Sequence, residues 1–369
     1  MRVWWSHGSR PGCLYLRDYR KERELPCPAR EPGNSEVEPP AGEDMADPLF
    51  TFGVIADIQY ADMEDGYNFT KTRMRYYRNS LSLLQGAMQG WASERLAPHF
   101  ILQLGDIIDG YNATYRSSEA SLHKLLTELE RLKTPVHHVW GNHEFYNFSR
   151  KQLVESRLNS SRLPGTTPPE DGADPLDSFY AYHFSPFPRF RLLLVDSYDL
   201  SIIGRDPSSD KYVRSSKMLR EKNPNEDKNS PQGLTEPQFV QFNGGISADQ
   251  LSWINDVLEA SDNNNEKVIV AGHLPVHPNA TDPICLTWNF AEVLAILQSH
   301  PCVVAYFSGH DHDGGYCQDH CGIHHLTING IIETPPESQA YGTVYIYEDR
   351  MVLRGRGLLP DRTLLYRAT

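Results

Sequence analysis

The chain has 369 residues, 39% of them hydrophobic, and a formal net charge of −13. This composition is enough to bury a core, while the negative charge repels nucleic acid and disfavours a broad basic binding face. No segment approaches 18 consecutive apolar residues, so the sequence predicts no transmembrane helix.

Residues 1–46 differ in composition from the rest of the chain. They mix Arg, Glu, Pro and Gly with little apolar periodicity, and such a segment cannot bury enough surface to offset its ordering entropy. We therefore expect residues 1–46 to be a disordered extension and residues 47–369 to form a single domain. Because the N-terminus lacks the apolar core of a signal peptide, we expect a cytosolic protein.

Beyond residue 47, apolar runs typical of strands alternate with segments of helical periodicity. Strands are predicted at 50–57, 99–106, 136–142, 190–197, 267–273 and 303–310. Helices are predicted from Met74 to Trp91, from Leu122 to Leu132, from 247 to about 260, and at 290–298. Residues 341–357 predict a hairpin. This order indicates an α/β fold with a largely central sheet and helices outside it.

One long stretch, residues 199–246, shows no regular pattern and is rich in Asp, Ser, Asn, Pro and Gln. A structureless segment of this length within a compact domain is either functional or disordered. The sequence leaves two interpretations open, a wall of the substrate pocket or a solvated insertion.

Nearly every predicted strand ends in side chains that can bind a metal ion. In chain order these residues are Asp57, Gln59, Asp106, Asp109, Asn142, His143, Glu144, His273, His310 and His312. A single Asp after a strand is usually a turn or cap residue, but the recurrence at successive strand ends is hard to explain by turns. Because ligands of open α/β sheets bind at the carboxyl ends of the strands, we expect these groups to converge on a metal site.

The motifs D-x-Q, GDxxD, GNHE, GH and GHxH resemble those of the calcineurin-like metallophosphoesterase superfamily. The resemblance implies a sandwich of two sheets flanked by helices, with a dinuclear metal centre at the carboxyl ends of the strands. It also implies two ligand sets, which share Asp106 as the bridge: Asp57, Gln59, Asp106 and His312 for one ion, and Asp106, Asn142, His273 and His310 for the other.

The same resemblance leaves His143 outside the ligand set. We expect His143 to protonate the leaving oxygen or to stabilise the transition state. The alternative is structural support of Asn142 through a hydrogen bond. Asp109 is expected to orient the metal ligands rather than to bind a metal itself.

Gln59 departs from the family pattern, in which most members have His at this position. An amide oxygen is a harder donor than imidazole, so it favours Mn²⁺ or Mg²⁺. Longer stretches, such as "ADIQYADMEDGYNF" and "WGNHEFYNFSR", resemble a manganese-dependent branch of the superfamily. This implies two divalent cations per chain, with Mn²⁺ preferred and Mg²⁺ or Zn²⁺ also able to occupy the site.

The resemblance to that branch implies hydrolysis of the diphosphate in ADP-ribose, CDP-choline, CDP-ethanolamine and CDP-glycerol. The products would be a nucleoside monophosphate and a phosphorylated sugar or alcohol. We therefore expect a monomer that acts on small nucleoside diphosphates, with neither nucleic acid nor a membrane as partner.

Two alternatives share the fold, a cyclic-nucleotide phosphodiesterase and a phosphoprotein phosphatase. Protein phosphatases of the superfamily carry GDxVDRG, whereas this chain has "GDIIDGYN", which disfavours a protein substrate. A binding scaffold without activity is a third alternative, but no ligand position has been lost.

Candidates for substrate contact follow the metal motifs. They are Phe69, Tyr111, Phe145, Tyr146 and Cys285. The aromatic rings are placed where a nucleobase would stack, although aromatic residues near strand ends more often pack at the rim of the sheet.

Six cysteines are too few and too scattered for a disulfide framework in a chain of this length. Two of them belong to "CQDHCGIHH", residues 317–325, whose spacing does not match a C-x₂-C zinc pattern. We expect a loop with two free thiols there.

Overall fold

The computed structural model describes residues 47–68, 71–170 and 177–367, which belong to one compact unit. The expected extension, residues 1–46, lies outside the described residues, so its disorder stays a prediction.

Two six-stranded sheets form the centre of the domain. The first consists of β1 (Phe50–Ile55), β4 (Phe100–Gln103), β5 (Val136–His138), β12 (Ala340–Ile346), β13 (Arg350–Gly357) and β14 (Arg362–Leu365). Its strand order is β14-β13-β12-β1-β4-β5. The second consists of β6 (Tyr182–Phe187), β7 (Phe190–Leu194), β8 (Lys267–Ala271), β9 (Val303–Ser308), β10 (Gly315–Gln318) and β11 (His324–Thr327). Its strand order is β10-β11-β9-β8-β7-β6. A separate two-stranded ribbon pairs β2 (Gly66–Tyr67) with β3 (Met74–Arg75).

The two sheets pack face to face through large apolar side chains. Phe52 of β1 meets Phe307 of β9 with ring centroids 5.8 Å apart, and Phe50 meets Phe190 at 5.5 Å. Strand β1 is buried along its whole length, which explains its continuous apolar sequence. The two-sheet sandwich is therefore confirmed, and the largely central sheet expected from the alternation of elements is present as two sheets of six strands. Alternation alone does not tell which strands share a sheet.

Eight helices are present in the part of the chain that the structure describes. They are α1 (Asn79–Ser93), α2 (Tyr111–Thr114), α3 (Ser118–Glu130), α4 (Asn142–Asn147), α5 (Arg150–Glu155), α6 (Asp210–Lys222), α7 (Ala248–Asn263) and α8 (Phe290–Ser299). Three short 3₁₀ turns accompany them at Ser160–Arg162, Pro283–Cys285 and Ile331–Glu333. None of the helices among the described residues is long and apolar enough to cross a membrane.

The helix predicted from Met74 starts later than expected, at Asn79. Met74 lies in β3, paired with Tyr67, so its apparent place in the helical repeat is coincidental. The predicted helices in α3, α7 and α8 are confirmed, as is the hairpin of β12 and β13. For α7, the side chain of Ser247 accepts a hydrogen bond from the backbone N–H of Gln250 and so caps the helix. The Gln250 side chain bonds Asp196 and Asp199 instead of the Ser247 N–H, so the reciprocal half of a capping box is not formed.

The stretch 199–246 is not structureless throughout. It contains α6, capped by the Ser209 side chain, which accepts from the backbone N–H of Tyr212. The periodicity of α6 is hard to read because its sequence, "DKYVRSSKMLREK", is mostly polar. Near its end the stretch supplies Asn243, a buried residue that contacts the metal centre described below.

The topology brings the carboxyl ends of parallel strands together. In the first sheet β1, β4 and β5 are parallel neighbours, and in the second β7, β8 and β9 are. The segments that follow β1, β4, β5, β8 and β9 carry the predicted metal ligands, and they meet at one edge of the sandwich.

Candidate metal centre

Asp106 occupies the middle of the candidate centre. Its Oδ1 accepts a hydrogen bond of 2.8 Å from the backbone N–H of His143. Its Oδ2 lies 3.4 Å from Nε2 of His273 and 3.3 Å from the amide nitrogen of Gln59. The carboxylate thus faces residues from both ligand sets, as a bridging group must.

Asp106, His273 and His310 each offer one ligand atom within 4.8 Å of the others. The orientation of His273 is fixed by its Nδ1, which donates to the carbonyl oxygen of Leu104 at 2.7 Å. That bond leaves Nε2, which is directed at Asp106, as the nitrogen available to a metal, the arrangement that orients a metal-binding imidazole.

His310 is held in a corresponding way by a residue from the 199–246 stretch. Its Nε2 lies 2.8 Å from Oδ1 of Asn243, whose amide nitrogen is committed to carbonyl oxygens of Gln238 and Ile284. Since Oδ1 of Asn243 can only accept, Nε2 of His310 carries the proton. Nδ1 of His310 is then the nitrogen available to a metal.

His312 and Asp57 form the other side of the centre. Nε2 of His312 lies 3.4 Å from Oδ1 of Asp57, and its Nδ1 is 3.0 Å from the carboxylate of Glu333. The other oxygen of Asp57 accepts from the backbone N–H of His310 at 2.9 Å. Asp57 therefore links the two groups of ligands.

Gln59 joins these ligands through its amide. The amide nitrogen lies 2.9 Å from Nε2 of His312, and the amide oxygen has no hydrogen-bond partner within the described part of the chain. A half turn of the amide group exchanges the two atoms and presents the oxygen to the position between Asp106 and His312. Coordination by Gln59 through oxygen requires that half turn.

Asn142 lies at the start of α4, and its amide oxygen accepts a hydrogen bond of 3.0 Å from the Tyr198 hydroxyl. The next residue but one, Glu144, accepts from the backbone N–H groups of Asp106, Ile107 and Gly141 at 2.6–2.8 Å. Glu144 thereby ties the segment after β4 to the segment after β5. These bonds keep Asn142 next to Asp106.

Buried polar atoms at this edge lack partners among the described residues. They are Oδ1 of Asp57, Oε1 of Gln59, Oδ2 of Asp109 and Nε2 of His273. Leaving a buried polar atom unpaired costs about 1–3 kcal/mol. Such atoms at one place fit a site that binds cations, and carboxylate, amide and imidazole donors together suit Mn²⁺.

The backbone is also strained at this edge. Asp57, Gln59, Asp106 and His310 all have positive φ, between 43° and 70°. For residues other than glycine this left-handed conformation costs of order 1–3 kcal/mol and clusters at functional sites. The glycine of the GNHE motif, Gly141, is required because the backbone passes close to Asp106. A β-carbon at this position would lie 2.2 Å from Oδ1 of Asp106.

Charge coupling shifts the pKa of the two imidazoles that face carboxylates. Burial lowers the pKa of His273, but the Asp106 carboxylate outweighs burial and raises it to about 9. Burial likewise opposes protonation of His312, yet the adjacent carboxylates of Asp57 and Glu333 raise its pKa to about 10. In the absence of metal these imidazoles hold protons, so metal binding must displace them.

The opposite shifts occur on the neighbouring groups. Burial would raise the pKa of Asp106, but His273 and His143 hold it well below its usual range. The pKa of His310 is well below its ordinary value because of burial and the adjacent His273. Asp106 is therefore ionised and His310 neutral, as metal ligands require.

His143 lies beside the Asp106 carboxylate and is mostly buried. Its Nδ1 accepts a hydrogen bond of 2.8 Å from the backbone N–H of Gly110, so the proton of the neutral ring is on Nε2. Nε2 is 3.9 Å from Oδ2 of Asp106. Asp109 lies behind the ring, with Oδ2 3.4 Å from Nδ1. His143 thus presents an N–H to the centre, while Asp109 has a supporting position.

The substrate candidates do not all reach the centre. Tyr146 is partly exposed, with its ring 5.2 Å from that of His143, and Tyr111 is exposed at the start of α2. Cys285 is partly buried in the 3₁₀ turn after β8. Phe69 lies outside the described residues.

The expectation that Phe145 stacks on a nucleobase is wrong. Its side chain is 7% exposed and belongs to the core, between Trp140 and Tyr198. The guanidinium of Arg150 lies 4.8 Å from the ring centroid. Because α4 begins at Asn142, this position turns inward, and the ring lies in the core rather than at the rim.

Several residues that shape the centre carried no signal in the sequence. They are Asn243, Tyr198, Glu333 and Arg75. The guanidinium of Arg75 forms an ion pair with Glu333 at 3.2 Å and lies 3.8 Å from the carboxylate of Asp109. Phe242, next to Asn243, has its ring 5.8 Å from that of His310.

Comparison with known proteins agrees with this geometry. Residues 50–314 match the model of the calcineurin-like phosphoesterase family. Similar curated proteins named manganese-dependent ADP-ribose/CDP-alcohol diphosphatase occur in Xenopus tropicalis (60% identity, covering 88% of this chain and 96% of the relative) and Homo sapiens (55% identity, 89% and 96%). A dimetal phosphatase from Danio rerio has a similar crystal structure, with a TM-score of 0.81 and 50% identity over 87% of this chain and all of that one.

Proposed function

The chain belongs to the calcineurin-like phosphoesterase family, and we propose that it is a manganese-dependent hydrolase of ADP-ribose and CDP-alcohols. It cleaves the diphosphate of ADP-ribose, CDP-choline, CDP-ethanolamine or CDP-glycerol to a nucleoside monophosphate and a phosphorylated sugar or alcohol. The observation that carries this proposal is the convergence of ligand-type side chains around Asp106, in a chain 52–60% identical to vertebrate diphosphatases.

The proposed ligand sets follow the geometry around Asp106. Asp57, Gln59, Asp106 and His312 hold one cation, which the 3.4 Å contact between Asp57 and His312 supports. Asp106, Asn142, His273 and His310 hold the other, which the clustering of Asp106, His273 and His310 supports. Two bound divalent cations would supply an activated water and neutralise phosphoryl charge.

The protein groups prepare the site for an anionic substrate. Glu144 accepts from the backbone N–H of Asp106, and the backbone N–H of His143 donates to the Asp106 carboxylate. Leu104 and Asn243 fix the imidazoles of His273 and His310. The Nε2–H of His143 donates to the leaving oxygen and stabilises charge on it as the bond breaks. Asp109 positions this ring from behind.

Gln59 accounts for the manganese preference in this proposal. Its oxygen is a harder donor than the imidazole found at this position in most of the family, so it favours Mn²⁺ over softer ions. Tyr146, Tyr111 and Cys285 remain proposed substrate contacts at the rim. We also propose a cytosolic monomer that acts on small molecules alone.

The test is a substrate panel with the chelated and remetallated protein. ADP-ribose and CDP-choline should be hydrolysed with Mn²⁺, and neither cyclic AMP nor a phosphopeptide should be. Preferred turnover of the cyclic nucleotide or the phosphopeptide would overturn the assignment in favour of a phosphodiesterase or a protein phosphatase.

A further inference from the structure

The proposed reaction makes no use of the "CQDHCGIHH" segment, residues 317–325. Residues 319–323 form the expected loop, and the two ends of the segment belong to the paired strands β10 and β11. Cys317 on β10 is paired directly with His325 on β11, and paired residues of an antiparallel ladder place their side chains on the same face. His277, from the segment after β8, lies against both. Its ring centroid is 4.7 Å from that of His325, and its Nδ1 is 3.0 Å from Sγ of Cys317.

His325 has one nitrogen fixed and the other unused. Nε2 lies 3.1 Å from the Asp319 carboxylate, which can only accept, so Nε2 carries the proton. Nδ1 then has a free lone pair, and no hydrogen-bond partner for it exists among the described residues, although the side chain is only 2% exposed. A buried imidazole nitrogen opposite a carboxylate-bound N–H is the usual arrangement of a metal ligand.

Asp319 is itself held rigidly. Its Oδ1 accepts from the backbone N–H groups of Cys321 and Ile323, both at 2.9 Å, and its Oδ2 also accepts from Gln298 at 3.0 Å. With both oxygens engaged, Asp319 is a positioning residue for His325 rather than a ligand.

The thiol and the imidazole of His277 are close to the separation that a shared metal imposes. Zn²⁺ holds sulfur at about 2.3 Å and nitrogen at about 2.1 Å, which separates the two ligand atoms by about 3.5 Å. Nδ1 of His277 also accepts from the backbone N–H of Asn279 at 3.2 Å, and a metal would replace that bond. Among the described residues, only Asp106, His273 and His310 already place three ligand atoms within 4.8 Å of one another. The ligand atoms of Cys317, His277 and His325 are therefore farther apart than this, and the ring of His277 or His325 must rotate when a metal binds.

We propose that Cys317, His277 and His325 form a second metal site, specific for a soft divalent cation such as Zn²⁺. On binding, the Cys317 thiol releases its proton to solvent, sulfur forms a bond to the metal, and no electron is transferred. Cys317 is partly exposed, so water can complete the tetrahedral set. The thiolate and imidazole donors select a metal that the oxygen-rich centre at Asp106 disfavours. This site does not depend on the proposed diphosphatase activity.

Cobalt titration tests the site without using activity. The purified protein is chelated, loaded with excess Mn²⁺, and titrated with Co²⁺ while near-ultraviolet absorption records thiolate-to-cobalt charge transfer. The wild-type protein should develop this band to one equivalent of Co²⁺, and Zn²⁺ should abolish it. Absence of the band would overturn the proposal.

Variants identify the ligands. Cys317→Ser and His325→Gln should lose the band, whereas Cys321→Ser, a matched change in the same hairpin, should keep it. Asp319→Asn should keep the band but weaken Co²⁺ binding by roughly 10–100-fold, as expected for a residue that orients a ligand. A band that survives Cys317→Ser, or disappears in Cys321→Ser, would overturn the assignment. Turnover with Mn²⁺ should be unchanged in Cys317→Ser, and its loss would contradict a separate site.

Discussion

Replacement of His143 by Ala removes a single N–H from the metal centre. The ring is 9% exposed, and its Nδ1 is already occupied by the backbone N–H of Gly110 at 2.8 Å. Nε2 is therefore the nitrogen that we propose as the donor to the leaving oxygen. Loss of one preorganised donor in a buried site lowers kcat by roughly 10²–10³-fold, equivalent to about 2.7–4 kcal/mol. We expect His143→Ala to lose activity within this range and to retain its bound metal.

The assay that isolates the donor uses leaving groups of graded basicity. Aryl esters of AMP with phenols from p-nitrophenol to phenol are hydrolysed by wild type and His143→Ala at saturating Mn²⁺, while bound manganese is measured by elemental analysis. The loss should grow as the phenol becomes more basic, since a more basic oxygen gains more from a hydrogen bond. An equal loss across the series with metal retained would refute the donor role and favour structural support of Asn142.

Asp109 provides the control. Its Oδ2 lies 3.4 Å from Nδ1 of His143, and its Oδ1 accepts from the backbone N–H of Tyr111. Asp109→Asn keeps the bond to Tyr111 and removes the charge behind the ring. If His143 acts as a neutral donor, Asp109→Asn should cost less than His143→Ala. An equal or larger loss with metal retained would mean that the ring must be fully protonated.

The remaining predictions concern the metal. Asp106→Asn keeps the acceptor for the backbone N–H of His143 but removes the negative charge that both cations would share. Manganese affinity should therefore fall by more than the ~100-fold that is typical when a residue that only orients a ligand is replaced. Normal metal content with normal turnover would contradict a bridging role for Asp106. Gln59→His should raise affinity for Zn²⁺ and weaken the preference for Mn²⁺, and an unchanged metal ranking in turnover assays would exclude donor hardness at this position. In chelated protein, His273 and His312 have pKa values of about 9 and about 10 in the folded state, against an ordinary value of 6.5. The contribution of these protonated imidazoles to the free energy of unfolding is therefore complete below pH 6.5 and is lost as the pH rises through 9 to 10. The Tm of chelated protein should fall over that interval more steeply than that of manganese-loaded protein, and a parallel or smaller decline would refute the coupling.

The convergence of the candidate metal ligands was predictable because each of these side chains follows an apolar run. Where a buried strand such as β1 leaves the core, the first polar side chains lie at the edge of the sheet and need polar partners or a cation there. After β1 these side chains are Asp57 and Gln59. The parallel pairing of β1 with β4 then places Asp106 next to them. Periodicity and topology rules suffice for this part of the site.

The residues that orient those ligands could not be predicted in this way. Asn243 reaches His310 across 67 positions of sequence, and Tyr198 reaches Asn142 across 56. Neither has a local pattern, because its partner is set by tertiary packing alone. His277 and Cys317 illustrate the same limit, since 40 positions separate a thiol from the imidazole beside it.

Phe145 failed for a different reason. An aromatic residue after a metal motif was expected on the rim, but α4 starts within the motif and turns this position into the core. The direction of a side chain after a strand depends on where the next helix begins, and helix boundaries are the least predictable feature of a sequence.

The central claim is tested most directly by a manganese titration of chelated protein with ADP-ribose as substrate and chromatographic detection of AMP and ribose 5-phosphate. Turnover should rise with bound Mn²⁺ and reach its maximum when two ions per chain are bound, with both products formed in equal amounts. Full turnover at one ion per chain, or hydrolysis that does not require added metal, would contradict a dinuclear diphosphatase centred on Asp106.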